Sequence, residues 1–113
     1  MDLELVATLL LDLALMDRAG YEALYAALAE GGDELAVVGV LDEHPLAREV
    51  VTGHLAWLEA YRVKVQAGEV DGDYLRRPLY ACATRGCPVR WRRRTRTQPT
   101  PDCPEHRTRL ISR

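Results

Sequence analysis

The 113-residue sequence predicts an α+β protein, in which a small N-terminal bundle of about four helices is followed by a β-hairpin module. Two patterns indicate this class. Apolar residues in the first part recur with helical spacing between helix start and stop residues, whereas residues 89–97 alternate as a strand does. Charge divides the chain at the same place, since residues 1–73 carry a net charge of −11 and residues 74–113 carry +9. We therefore predict two domains, 1–73 and 74–113.

Composition sets further limits on what the chain can be. The net charge is −2, and 48% of the residues are hydrophobic and 28% charged, which is typical of a folded protein. Residues 5–16 are apolar, but this stretch contains Asp12 and is shorter than the ~20 residues that span a bilayer. The first residues lack the positive charge of a secretory signal. We expect a cytoplasmic protein with no membrane contact, from a bacterium or a virus of bacteria.

The first two predicted helices cover residues 2–18 and 21–30. Residues 2–18 are apolar around most of the helix circumference, which is typical of a helix that is central in a core or shared with a partner. Gly20 is interpreted as the stop after the first helix. Good helix formers fill residues 21–30, and the Gly31–Gly32 pair ends the second helix.

The third and fourth predicted helices cover residues 34–42 and 45–66. Asp33 suits the N-cap of the third helix, although the apolar run 35–41 is equally compatible with a buried strand. Pro45 suits the first turn of the fourth helix. One apolar face of that helix is formed by Val50, His54, Trp57, Leu58, Tyr61 and Val65. Four helices in so short a segment give a marginal core, so we expect dimerisation or docking on a partner.

The sequence contains no recognisable catalytic combination. It lacks a Ser/His/Asp set, a nucleophile elbow and a glycine-rich phosphate loop, and we predict that the chain is not an enzyme. His54 is interpreted as a packed, hydrogen-bonded core histidine, with a ligand or switch role as the alternative.

Three cysteines and a histidine near the C-terminus have the spacing of a metal site. Cys82 and Cys87 form one pair, and Cys103 and His106 form a second pair after fifteen residues. An odd number of cysteines favours a metal over disulfides in a reducing compartment. Three thiolates and one imidazole can close a tetrahedron around Zn²⁺. We predict one structural zinc ion per chain, because four protein ligands leave no position for a reactive water.

These four residues make the segment of about 79–111 resemble a zinc ribbon or a related zinc-knuckle fold. Two features differ from the common ribbon pattern. The first cysteine pair is separated by four residues where two are usual, and His106 stands where a cysteine is usual. The resemblance implies a zinc-stabilised β-hairpin module and, by analogy, an association with transcription or nucleic-acid machinery.

An arginine-rich segment lies between the two ligand pairs. If residues 89–97 form a strand, its even positions place four arginines on one face, while Val89 and Trp91 face the core. Residues 98–102 then form a turn, and residues 107–111 alternate in the same way and can pair with the first strand. The predicted basic face comprises Arg90, Arg92, Arg94, Arg96, Arg107 and Arg109.

Two functions are compatible with this basic face. The first is a zinc-binding, nucleic-acid-associated regulator, whose arginines contact DNA or RNA phosphates while the helices dimerise or dock on a partner. The second is a non-enzymatic adaptor or subunit of a larger assembly, whose arginines dock on an acidic protein surface. That surface is the helical module of the same chain, a second copy or another protein. A remoter third reading treats the acidic helical module as a DNA mimic.

Overall fold

The structure is a computed structural model that describes residues 1–112. Over these residues the fold is mixed, with six helices and a small antiparallel sheet of three strands, in agreement with the predicted α+β class. The helices and strands are α1 (Leu3–Ala7), α2 (Leu10–Met16), α3 (Arg18–Ala29), α4 (Glu34–Glu43), α5 (Pro45–Gln66), α6 (Asp73–Arg76), β1 (Tyr80–Ala81), β2 (Arg90–Trp91) and β3 (Ile111–Ser112).

The predicted single helix over residues 2–18 is wrong, because the chain forms α1 and α2 with a break at Thr8 and Leu9. The Thr8 hydroxyl donates a hydrogen bond of 2.6 Å to the Leu5 carbonyl. The Leu9 N–H donates to the Val6 carbonyl three residues back, a tighter turn than that of an α-helix. A threonine that bonds back to its own helix bends or ends it, and the leucine spacing gave no sign of this.

Gly20 is not a helix stop, since it lies in the first turn of α3. The Asp17 carboxylate caps this helix by accepting a hydrogen bond of 3.1 Å from the Gly20 N–H. A Cβ at position 20 would lie 2.4 Å from Asp17 Oδ2 and 3.1 Å from the Ala47 Cβ. Glycine therefore allows α3 to approach α5 closely beside its own cap.

Residues 35–41 are helical, which decides the open alternative against a strand. Asp33 caps α4 as predicted, accepting from the Ala36 N–H at 3.0 Å. Helix α5 has the predicted bounds, with Pro45 in its first turn. The buried side of α5 is made by Ala47, Val51 and Leu58, whereas Trp57 is 48% exposed, so the predicted apolar face is only partly turned inward.

The sheet has the order β2-β1-β3, with β1 paired antiparallel to both neighbours. The strand predicted over residues 89–97 is therefore wrong beyond Trp91. The predicted pairing of residues 107–111 with that strand is also wrong, because β3 pairs with β1 and Arg109 forms a bridge with Asp102.

Arg93 explains why the chain leaves the sheet after Trp91. Its guanidinium donates to the Gln98 carbonyl at 2.8 Å, the Tyr80 hydroxyl at 2.5 Å and the Thr100 hydroxyl at 2.8 Å. These bonds tie both ends of the 93–100 loop to one side chain. Alternation within residues 89–97 cannot reveal these bonds, because two of the partners of Arg93 lie beyond that segment.

We call residues 1–73 the helical half and residues 74–112 the cysteine-rich half. Buried residues of both halves pack in one cluster. Val89 and Trp91 are buried, at 0% and 7% exposure, as predicted for that side of the segment. They belong to the same cluster as Val6, Leu10 and Tyr21 of the helices. The division into two domains remains a prediction from charge. Within residues 1–112, no helix is long and apolar enough to cross a membrane.

The close contact at Gly20 yields a testable pair of variants. We expect Gly20→Ala to lower the free energy of unfolding by about 1–2 kcal/mol, because the new methyl group displaces the Asp17 cap and presses on Ala47. The matched control is Gly39→Ala in α4, where an added Cβ meets no atom within 4 Å. This control should gain about 0.5–1 kcal/mol from helix propensity. Urea unfolding of both proteins measures the difference, and equal stabilisation would contradict the packing role of Gly20.

Candidate metal centre

Cys82, Cys87, Cys103 and His106 come together as the sequence predicts. Their ligand atoms all lie within 4.8 Å of one another. Cys87 Sγ is 3.7 Å from Cys103 Sγ, and His106 Nδ1 is 3.5 Å from Cys82 Sγ and 3.6 Å from Cys103 Sγ. The three cysteines are free thiols and are buried. The four residues together could hold a metal ion.

The first ligand pair is positioned by a turn that follows β1. The Cys82 N–H donates to the Val89 carbonyl at 3.4 Å, and the Cys87 N–H donates to the Thr84 carbonyl at 3.1 Å. Gly86 has φ +82, a left-handed conformation that glycine adopts without strain. Glycine at this position therefore allows the tight turn between the two cysteines.

The second ligand pair lies on a tight hairpin. The Cys103 N–H donates to the Thr108 carbonyl and the Arg107 N–H donates to the Cys103 carbonyl, both at 2.8 Å. Arg107 has φ 55, so a non-glycine residue takes the left-handed position of the turn. The turn brings the histidine three residues after Cys103 back toward the sulfur of that cysteine.

The charges of the thiols favour a cation at their centre. Burial raises the pKa of Cys82, but hydrogen bonds, first that from the Thr84 N–H, outweigh it and bring the pKa below its ordinary value. Burial raises the pKa of Cys103 above its ordinary value, although hydrogen bonds from the N–H groups of His106 and Glu105 act in the opposite direction. A thiolate therefore forms more readily at Cys82 than at Cys103. A divalent cation beside these sulfurs would favour thiolates over thiols.

Two tyrosines of α3 reach the site from the helical half, and the sequence patterns did not indicate them. The Tyr25 hydroxyl donates to Cys87 Sγ at 3.5 Å. The Tyr21 hydroxyl donates to the Glu105 carboxylate, between Cys103 and His106, at 2.9 Å. Burial raises the pKa of both tyrosines, so their hydroxyls stay protonated and donate. The only signal in the sequence is the i, i+4 spacing of two tyrosines on one helix.

The six predicted basic residues do not share one strand face, because the strand ends at Trp91. Arg90 turns back and donates to the carbonyls of Cys87 and Val89, both at 2.9 Å. The Arg92 guanidinium lies 5.7 Å from the centre of the Tyr74 ring. Arg90 is therefore occupied within the chain, whereas Arg92 Nε is buried and finds no hydrogen-bond partner among the described residues.

The remaining four predicted basic residues are exposed to different degrees. Arg94 forms an ion pair with Asp12, and Arg96 lies 3.7 Å from Asp73 while its side chain is 81% exposed. Arg107 and Arg109 are exposed and make no ion pair with any residue in the range 1–112. Of the six, Arg96, Arg107 and Arg109 therefore remain open to a partner, and Arg94 is held only by an exposed ion pair.

His54 differs from its predicted role as a hydrogen-bonded core residue. It is only half buried, and its Nε2 atom finds no hydrogen-bond partner among the described residues. Its ring stacks on Trp57 with centroids 5.8 Å apart. Burial lowers the pKa of His54, with the charge of Arg94 as the next cause.

Comparisons of the chain with protein-family models, curated proteins and solved structures found no match. Four donors around one point, three of them on residues held by backbone hydrogen bonds of the two turns, suit the retention of an ion.

The contact from Tyr25 predicts a measurable effect on metal affinity. We expect Tyr25→Phe to weaken metal binding about tenfold, because a hydrogen bond to a ligand sulfur is lost while the ring and its packing remain. Competition with a chromophoric chelator measures the affinity. Tyr61→Phe on α5 is the matched control and should leave it unchanged. Equal affinities of the two variants would show that the Tyr25 hydroxyl does not support the site.

Proposed function

We propose that the cluster binds one structural zinc ion per chain. A tetrahedral site with Zn–S of ~2.3 Å and Zn–N of ~2.05 Å has S···S edges of ~3.8 Å and S···N edges of ~3.6 Å. Three of the six donor pairs match these edges, at 3.7 Å for Cys87–Cys103 and at 3.5 and 3.6 Å for the His106 nitrogen with Cys82 and Cys103, and all six lie within 4.8 Å. Three soft thiolates and an imidazole suit Zn²⁺ over the hard cations Ca²⁺ and Mg²⁺. When bound, the ion would cross-link the two turns.

We further propose that the chain is a nucleic-acid-associated regulator, with exposed arginines that contact phosphates. The observation that carries this proposal is the set Arg96, Arg107 and Arg109. These residues are exposed, and the last two form no side-chain ion pair among the described residues. Unpaired guanidiniums are planar donors that match phosphate oxygens. The net charge of +9 over residues 74–113 provides the long-range attraction to a polyanion.

The helical half supplies the partner-binding part of this proposal. Several large apolar side chains of the helices are exposed, among them Leu35 at 78% and Leu15 at 91%. Exposed leucines on a small acidic bundle are compatible with dimerisation or docking on another subunit. Sedimentation of the purified protein would measure whether the chain associates with itself.

The second candidate is an adaptor whose arginines dock on acidic protein. It is favoured by the two pairs Arg94–Asp12 and Arg96–Asp73, in which arginines of the loop already bind carboxylates of the acidic half. Exposed ion pairs of this kind contribute little stability, so an external acidic surface can compete for the same guanidiniums. Failure of the protein to bind DNA or RNA at low salt would favour this adaptor.

The zinc proposal predicts the metal content of the purified protein. We expect about one zinc per chain, and Cys103→Ser should lose the ion and unfold at a markedly lower temperature, because the metal cross-links two turns that have little else to hold them. Elemental analysis and thermal unfolding measure both effects. Thr97→Ser, in the exposed loop, is the control and should keep the zinc. Folded wild-type protein with three titrating thiols and no metal would contradict the assignment.

The phosphate contacts predict a salt dependence. Three contacts correspond to a roughly fortyfold loss of affinity between 50 and 200 mM salt, because about 0.9 counterions are released per neutralised phosphate. Substitution of Arg96, Arg107 and Arg109 by serine should remove most of this dependence, as measured by fluorescence anisotropy with labelled DNA and RNA.

The control for that variant removes three positive charges elsewhere. Arg48, Arg62 and Lys64 are exposed on α5, and their replacement by serine alters the net charge by the same amount. This control should keep the affinity within about threefold, which is the long-range part of the attraction. Equal losses in the two triple variants would show that net charge, rather than the exposed arginines, governs binding.

A further inference from the structure

An aromatic pocket with arginine at its edge lies apart from the metal centre. It is lined by His54, Trp57, Tyr74 and Arg94 and has a volume of about 260 Å³. These residues come from α5, from α6 and from the loop after β2, so three separate segments of the chain form one concavity. We call it the aromatic pocket.

Flat ring surfaces dominate the aromatic pocket. His54, Trp57 and Tyr61 follow one another along α5, and the Trp57 ring lies nearly parallel to that of Tyr61 with centroids 5.3 Å apart. Tyr74 meets Trp57 edge-on at 5.4 Å. Trp57 is nevertheless 48% exposed, whereas Trp91 of the core is 7% exposed. Trp57 thus lies between the stacked rings of His54 and Tyr61, and the half of its side chain that stays exposed is the part that a flat guest can contact.

The charges around the aromatic pocket select against a cationic guest. Arg94 lines it, the Arg92 guanidinium lies over Tyr74, and Arg96 lies 3.7 Å from Asp73, the residue before Tyr74. These arginines outnumber the two carboxylates in contact with them, Asp12 and Asp73. A guest that joins a flat ring to a negative charge matches both features.

We propose that the aromatic pocket receives one unpaired base of a single-stranded nucleic acid, with the base against Trp57 and the adjoining phosphates on Arg94 and Arg96. This inference rests on the proposed nucleic-acid function and specifies its substrate as a single strand. The volume of 260 Å³ is below the ~300 Å³ of the smallest drug-sized sites, which suits one base. Arg96 lies outside the pocket on the same loop as Arg94, and its 81% exposed side chain suits a backbone that continues past that base.

The test uses the fluorescence of Trp57 in the full-length, metal-loaded protein. Oligothymidylate and oligouridylate of about ten nucleotides should quench the emission, since a stacked base quenches an exposed indole while buried Trp91 reports that the fold is intact. Trp57→Leu should abolish the quenching and weaken single-strand binding about tenfold, as loss of one base–aromatic stack does. Trp57→Phe keeps a stacking face and should restore most of the affinity. Whichever oligonucleotide binds more tightly identifies DNA or RNA as the source of the strand.

Duplex DNA and thymidine monophosphate separate the outcomes. Trp57→Leu should leave duplex affinity unchanged, and the monophosphate alone should bind much more weakly than the strand. Arg94→Gln should weaken single-strand binding, with Arg62→Gln on α5 as the unaffected control. Strand binding that ignores the Trp57 and Arg94 variants would overturn the pocket assignment while leaving the regulator proposal intact. Monophosphate binding as tight as strand binding would also overturn it, and absence of binding to any nucleic acid would overturn both proposals.

Discussion

The cysteine-rich half depends on the meeting of three sulfur atoms and one imidazole nitrogen within 4.8 Å. Each strand of its sheet is two residues long, which is too short for a stable sheet without additional support. The two ligand turns stand at one end of that sheet and are linked by the fifteen residues between Cys87 and Cys103. The proposed ion would fix these turns relative to each other and so support the sheet register.

Two tyrosines of α3 contact the ligand turns and so link the metal centre to the helices. The hydroxyls of Tyr21 and Tyr25 lie one helical turn apart and reach Glu105 and Cys87, one residue from each ligand turn. The pairs Arg94–Asp12 and Arg96–Asp73 join the two oppositely charged halves at other points. The strong charge asymmetry of the sequence is thus partly balanced inside the chain, and only part of the arginine set is left for a partner.

Local patterns predicted what depends on local interactions. The four candidate ligands are predictable because the two members of each pair lie close together in the sequence. Helix α5 is predictable because Pro45 marks its first turn and a long periodic stretch follows. The break at Thr8 was missed because one hydroxyl competes with the helix, which leucine spacing does not record. The strand was overextended because Arg93 folds the chain back through residues beyond the turn. The tyrosine contacts span 62 and 84 residues, and no spacing rule in a single sequence reveals pairs so far apart.

The order of the strands also governs when the fold can form. The central strand β1 precedes both of its neighbours in the chain, so neither edge can pair until residues 90 and 111 have been synthesised. The contact between Ala81 of β1 and Ile111 of β3 closes a long loop and forms slowly, whereas the two members of each ligand pair are separated by only four and two intervening residues. The proposed ion, bound first by one local pair, would reduce the search for the other pair to a single loop closure. It would then act as a nucleus that joins the two ligand turns before the sheet is complete.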